Sequence, residues 1–170
     1  MKIFFLNGQY PFCYYYRGYL PAVYSGQTFV NDFIQTGHSL SAEELTNKTL
    51  DADVVVFQRP NRKEMYDLMT FLKKRGKKVL FENDDTYLEG IGIKLERLDS
   101  DQAREKAKEL SEWTNKCLSI ADGAIASTEF LADEYRKVNE NTVVLKNCID
   151  PLDEFPVKKN ETGKFRVGFI

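Results

Sequence analysis

The sequence predicts an open, parallel α/β sheet with helices on both faces. Three observations lead there. Short apolar runs without polar alternation recur along the chain, as suits strands covered on both sides. Stretches with apolar residues at helical spacing separate them, so the strands should run parallel through right-handed crossovers. Each run also ends in a polar cluster, and one ends in the doubled acid Asp84-Asp85. Ligands of open α/β sheets bind just beyond the carboxyl ends of the strands.

Residues 2–6 form the first expected strand, and a tyrosine-rich loop follows from Asn7 to Arg17. That loop could be a stacking platform for a sugar ring, or pack against a partner surface. Residues 18–36 read as largely helical, stopping at Gly37-His38 with glycine in the usual terminal position. A short strand piece is placed near Ser39-Leu40. Ser41 and Glu44 fit a capping box that opens a short helix. Residues 53–58 make the next apolar strand. Met65, Leu68, Met69 and Leu72 mark a helix over 62–75, with Lys73, Lys74 and Arg75 where cations complement its dipole and Gly76 as its stop.

Residues 77–82 are a strand and 86–98 a loop. Residues 99–121 are a long helix with Asp99 and Gln102 as its expected cap and Ala103, Ala107, Leu110, Cys117, Leu118 and Ala121 facing inward. A strand at 123–126 leads into a helix over 127–138, with Phe130, Leu131, Tyr135 and Val138 inward. A last strand covers 142–145. Residues 1–150 thus make one domain, the polar 151–164 a linker, and 165–170 the start of a further strand.

The chain has 170 residues, enough for one ordinary core, and a net charge of −2 that advertises neither nucleic acid nor a polybasic membrane contact. No run reaches membrane-spanning length, and no secretory signal is evident. Cys13, Cys117 and Cys148 sit at no metal-ligand spacing and read as reduced thiols of a cytoplasmic protein. The one histidine, His38, argues against a His-based metal site, and no metal is expected. The two Asn-x-Thr sequons read as chance.

The strand ends bring Asn7-Gly8-Gln9, Arg59-Pro60-Asn61, Asn83-Asp84-Asp85, Ser127-Thr128 and Lys146-Asn147 to one rim. Gly8 permits close backbone approach of a ligand. Arg59 could clamp a phosphate or carboxylate, or pair with the acids. Adjacent Asp84 and Asp85 repel unless solvent, a cation or donors compensate. One could bind a backbone amide, while the other accepts sugar hydroxyls, pairs with Arg59 or moves a proton. Ser127 or Thr128 should cap the following helix and could present amides to an anion.

In order and spacing, these segments resemble the N-terminal half of a GT-B glycosyltransferase of the broad family 4 type. The matching segments are 3–8, Gly37-His38, 53–60, 77–85, 121–128 with Leu131, 143–150 and 165–170. The resemblance implies a Rossmann-like acceptor-side domain. A C-terminal partner domain, opened by 165–170, would hold most of the nucleotide-sugar donor site, so these residues alone should not turn over. The implied reaction moves a sugar from the nucleotide-sugar co-substrate to an acceptor hydroxyl, with no metal or other cofactor. Asp84 and Asp85 would be catalytic; Gly8, Gln9, Arg59, Ser127 and Asn147 would line the acceptor cleft. The implied partners are a sugar or glycan acceptor, the nucleotide sugar and the C-terminal domain. A homodimer and peripheral membrane association of the whole enzyme also fit.

The N-terminal loop departs from the Gly-Gly form common in that family. Two alternatives remain. One is a non-catalytic sugar-binding or scaffold domain. The other is a receiver-like signalling module, for which Asn7-Gly8-Gln9 lacks the acidic pair needed to hold magnesium.

Overall fold

The computed structural model describes residues 1–6, 13, 15–26, 28–30, 42–85 and 99–147. They form the expected open α/β architecture. Six strands, all parallel, lie in the order β2-β1-β3-β4-β5-β6. The strands are β1 (Ile3–Leu6), β2 (Thr28–Val30), β3 (Val54–Gln58), β4 (Lys78–Asn83), β5 (Gly123–Ala126) and β6 (Thr142–Val144). The helices are α1 (Leu20–Tyr24), α2 (Ala42–Asp51), α3 (Lys63–Lys74), α4 (Asp101–Ile120) and α5 (Glu129–Arg136).

Alternation along the strands divides the sheet into two faces. Phe4, Leu6, Val55, Phe57, Val79, Phe81, Ala124 and Ala126 point to one of them and join the main core. Met69 and Leu72 of α3, Cys117 and Leu118 of α4, and Leu131 and Tyr135 of α5 complete that core. Burying a side chain such as Leu72 or Phe81 contributes about 2 kcal/mol relative to leaving it in water. The Phe81 and Tyr135 rings meet edge to face at 5.5 Å. The other face carries Val56, Gln58 and Glu82, and Arg17, from a π-helical turn at Tyr15–Tyr19 that runs into α1, packs against it.

Four details differ from the sequence reading. The helix expected over 18–36 is broken: α1 has five residues, and a Ser25-Gly26 turn precedes β2. The Ser25 hydroxyl donates to the Pro21 and Ala22 carbonyls, and Gly26 adopts φ +66°, so the helix ends there. Thr28-Phe29-Val30 is β-branched and aromatic, a composition that favours a strand. Ser100, not Asp99, caps α4 by accepting from the Ala103 N–H at 3.2 Å. Phe130, expected inward, is 64% exposed, because α5 begins at Glu129 and turns that side outward. On the last strand, Val144 rather than Leu145 is the final residue. α3 ends as expected at Gly76, with φ +74°.

Gly8, Gln9, His38, Ser39-Leu40, the 86–98 loop, Cys148, the 151–164 linker and the 165–170 strand lie outside the described residues.

Candidate functional site at the carboxyl rim

β1 has β2 on one side and β3 on the other, so connections leave it in opposite directions. In sheets of this kind the crevice at such a switch point is where ligands bind. Gln58 ends β3 at that place, and its Nε2 donates to the Cys13 carbonyl at 3.1 Å. The expected neighbours on β1, Gly8 and Gln9, are outside the described residues.

Arg59 follows directly and adopts φ +52°. This left-handed conformation costs a non-glycine residue about 1 kcal/mol and turns the chain sharply. Its N–H donates to the Glu82 carbonyl at 2.7 Å, which carries the side chain across β4. Nε and Nη2 then donate to Asp84 Oδ1 at 3.0 and 2.7 Å, and Nη2 also reaches Asp85 Oδ2 at 2.6 Å. One guanidinium thus holds together two carboxylates that would otherwise repel each other. The Arg59 side chain is 7% exposed, Asp84 16% and Asp85 59%, so Asp85 is the acid presented to solvent.

The turn that carries the two acids is fixed from several sides. The Asp85 N–H donates to Asn83 Oδ1 at 3.0 Å, Tyr135 donates its hydroxyl to the Asp85 carbonyl at 2.6 Å, and Ser127 donates to the Asp84 carbonyl at 3.3 Å. Burial, reinforced by the nearby carboxylates of Glu82, Asp84 and Asp85, raises the Tyr135 pKa and keeps it a phenol donor. Burial, together with Asp84, pushes the Cys13 thiol up to about 11, so it is protonated and a poor nucleophile at neutral pH.

Beneath the rim lies an ion pair that the sequence did not reveal. Arg17 Nε donates to Glu82 Oε1 at 2.6 Å, and both side chains are 1% exposed. Arg17 Nη1 also donates to the Leu145 carbonyl and, at 3.1 Å, to Asn147 Oδ1. Burial pushes the Glu82 carboxyl up to about 7 against the pull of Arg17. Arg17 Nη2, Glu82 Oε2 and Gln58 Oε1 are buried and have no hydrogen-bond partner among the described residues. Each such orphan costs about 1–3 kcal/mol.

Arg59, Asp84, Asp85 and Ser127 therefore meet directly, and Asn147 joins them through Arg17 and Glu82. Of the two cap candidates, Thr128 caps α5 by accepting from the Leu131 N–H at 3.2 Å, while Ser127 serves the acidic turn. Arg17, Gln58, Glu82 and Tyr135 were missed. Glu82 left a signal, a carboxylate at the end of an otherwise apolar run, which in a covered strand needs a cation. Among the described residues, no group of three His, Cys, Asp or Glu side chains could hold a metal ion.

The fold and the rim define a class: an open, all-parallel, Rossmann-like α/β domain with an arginine-clamped acidic turn at the carboxyl ends of its strands. No model of a known protein family matches the chain, and a search of curated proteins finds no significant match. No helix among the described residues is long and apolar enough to cross a membrane.

Proposed function

We propose that the chain is the acceptor-side half of a GT-B glycosyltransferase, which moves a sugar from a nucleotide-sugar donor to an acceptor hydroxyl. The observation that carries this reading is the Asp85 carboxylate. Arg59 grips it and Tyr135 holds the backbone carbonyl of the same residue, yet the side chain remains 59% exposed. A carboxylate fixed in this way accepts hydrogen bonds from sugar hydroxyls with little reorganisation. The order of the strand-end motifs and the parallel sheet support the same reading.

In the proposed reaction the acceptor hydroxyl donates to Asp85. Its oxygen attacks the anomeric carbon, Asp85 takes the proton, and the nucleotide diphosphate leaves with the electron pair of the broken C–O bond. Asp84, clamped to Arg59, keeps the turn in place. Cations that stabilise the departing diphosphate would belong to the C-terminal donor domain. Closure of the two halves would exclude water.

One observation favours a second reading, a sugar-binding domain without catalysis. Arg59 already compensates both acids, which suits hydroxyl recognition better than proton removal.

The test uses the full-length protein with UDP-glucose, UDP-N-acetylglucosamine and GDP-mannose, following release of nucleotide diphosphate in the presence of glycan acceptors. Transfer is expected with one of these donors, and Asp85→Asn should slow it about 100-fold or more while the circular dichroism spectrum is unchanged. Transfer that survives Asp85→Asn at full rate would refute the assigned role. Glycan binding without diphosphate release would establish the second reading.

A further inference from the structure

The Arg17–Glu82 pair is buried as deeply as the core, yet Arg17 Nη2 and Glu82 Oε2 have no hydrogen-bond partner among the described residues. A device built for stability alone would satisfy them or be apolar. What the pair does achieve is placement. Glu82 lies on β4 two residues before Asp84 of the acidic turn. Through Arg17 Nη1 the same guanidinium holds the Leu145 carbonyl and the Asn147 side chain just past β6. Arginine has only donors, so the contact fixes the Asn147 amide with its oxygen inward. The Asn147 Nδ2 hydrogens face away from Arg17, and no hydrogen bond engages them among the described residues.

We infer that Arg17 is a positioning residue for ligand recognition: by gripping Glu82 and the Asn147 oxygen together, it fixes an amide donor just past β6 on the same carboxyl rim that presents the Asp85 acceptor just past β4. The inference rests on the sugar-binding reading of this rim and sharpens it. A ligand that satisfies both ends must donate to a carboxylate and accept from an amide, and a hydroxyl does both. A phosphate or carboxylate could accept from Asn147 but would meet the acids. Taken with the sugar-binding reading, the ligand class is polyhydroxylated and uncharged.

The test compares wild type with Arg17→Leu/Glu82→Leu, which removes both buried charges together and so avoids leaving one unpaired. Two measurements are made on the chain. One follows the Asn147 side-chain amide by ¹⁵N-correlated NMR, without ligand. The other titrates methyl α-D-glucopyranoside, methyl α-D-galactopyranoside and methyl α-D-mannopyranoside. The double variant is expected to keep a cooperative unfolding transition. Its Asn147 amide resonances should move to free-amide positions, and affinity for whichever glycoside binds should fall at least fivefold. Asn147→Asp, which keeps an oxygen toward Arg17 but removes the amide donor, should weaken binding as much.

A double variant that binds like wild type, or whose Asn147 resonances do not move, overturns the inference. If wild type binds none of the glycosides, displaced Asn147 resonances uphold the positioning role and sink the sugar reading instead. Should the double variant fail to fold, Arg17→Lys serves, since it keeps the charge beside Glu82 but cannot fork to Asn147.

Discussion

Replacing Arg59 separates its two roles, backbone shape and charge clamp. Arg59→Ala removes three hydrogen bonds to Asp84 and Asp85 and leaves Asp84, whose side chain is 16% exposed, without its cation. Stranding a fully buried charge costs about 3–5 kcal/mol. Asp84 keeps some water, and the Asp85 contact counts only as a surface pair of about 0–1 kcal/mol. The expected loss is therefore about 2–3 kcal/mol. Alanine also retains the left-handed backbone at φ +52°, which glycine adopts freely. Arg59→Gly should thus be more stable than Arg59→Ala by about 1 kcal/mol, although both lose the clamp. Urea unfolding followed by the fluorescence of the single tryptophan, Trp113, measures this. With a slope of about 2 kcal/mol per molar, the two midpoints should differ by about 0.5 M. If the alanine variant equals or exceeds the glycine variant, the backbone argument is wrong. A loss under about 0.5 kcal/mol in both would show the clamp to be energetically idle.

Two further outcomes concern the ion pair and the cap. The Glu82 carboxyl is raised by burial from 4.5 to about 7, so the folded state holds a proton after the unfolded chain has lost it. Its contribution to stability is fully present below about pH 4.5 and is lost as pH rises to about 7; the unfolding free energy of wild type minus that of Glu82→Gln should fall between pH 5 and pH 8, and a flat difference would contradict the burial assignment. Thr128→Ala removes the cap of α5 and should cost about 1 kcal/mol in urea unfolding; a neutral result would mean that the Leu131 N–H contact does no capping.

The sheet was legible because covered parallel strands carry a local signature: Val54-Val55-Val56-Phe57 and Val79-Leu80-Phe81 need no partner information to be recognised. The carboxyl rim followed from strand direction alone, which is why Arg59, Asp84, Asp85 and Ser127 were found together. β2 was lost because three residues give too short a pattern to break a helical reading, although Gly26 marked the stop. Arg17 was illegible for another reason. Its partners are 65 and 128 residues away, and nothing local in Tyr15-Tyr16-Arg17-Gly18 says that the guanidinium turns inward. The choice between Ser127 and Thr128 likewise depended on where the acidic turn came to rest.

The span of the Arg17 contacts also bears on timing. Joining segments so distant along the polymer is entropically slow and rewarding only once the sheet exists. The bridge is therefore expected to form on the native side of the folding barrier, where contacts govern how fast a molecule comes apart rather than how fast it assembles. A chevron plot of Arg17→Leu/Glu82→Leu should move on its unfolding limb alone. The residue that aims Asn147 would then also set the lifetime of the native state.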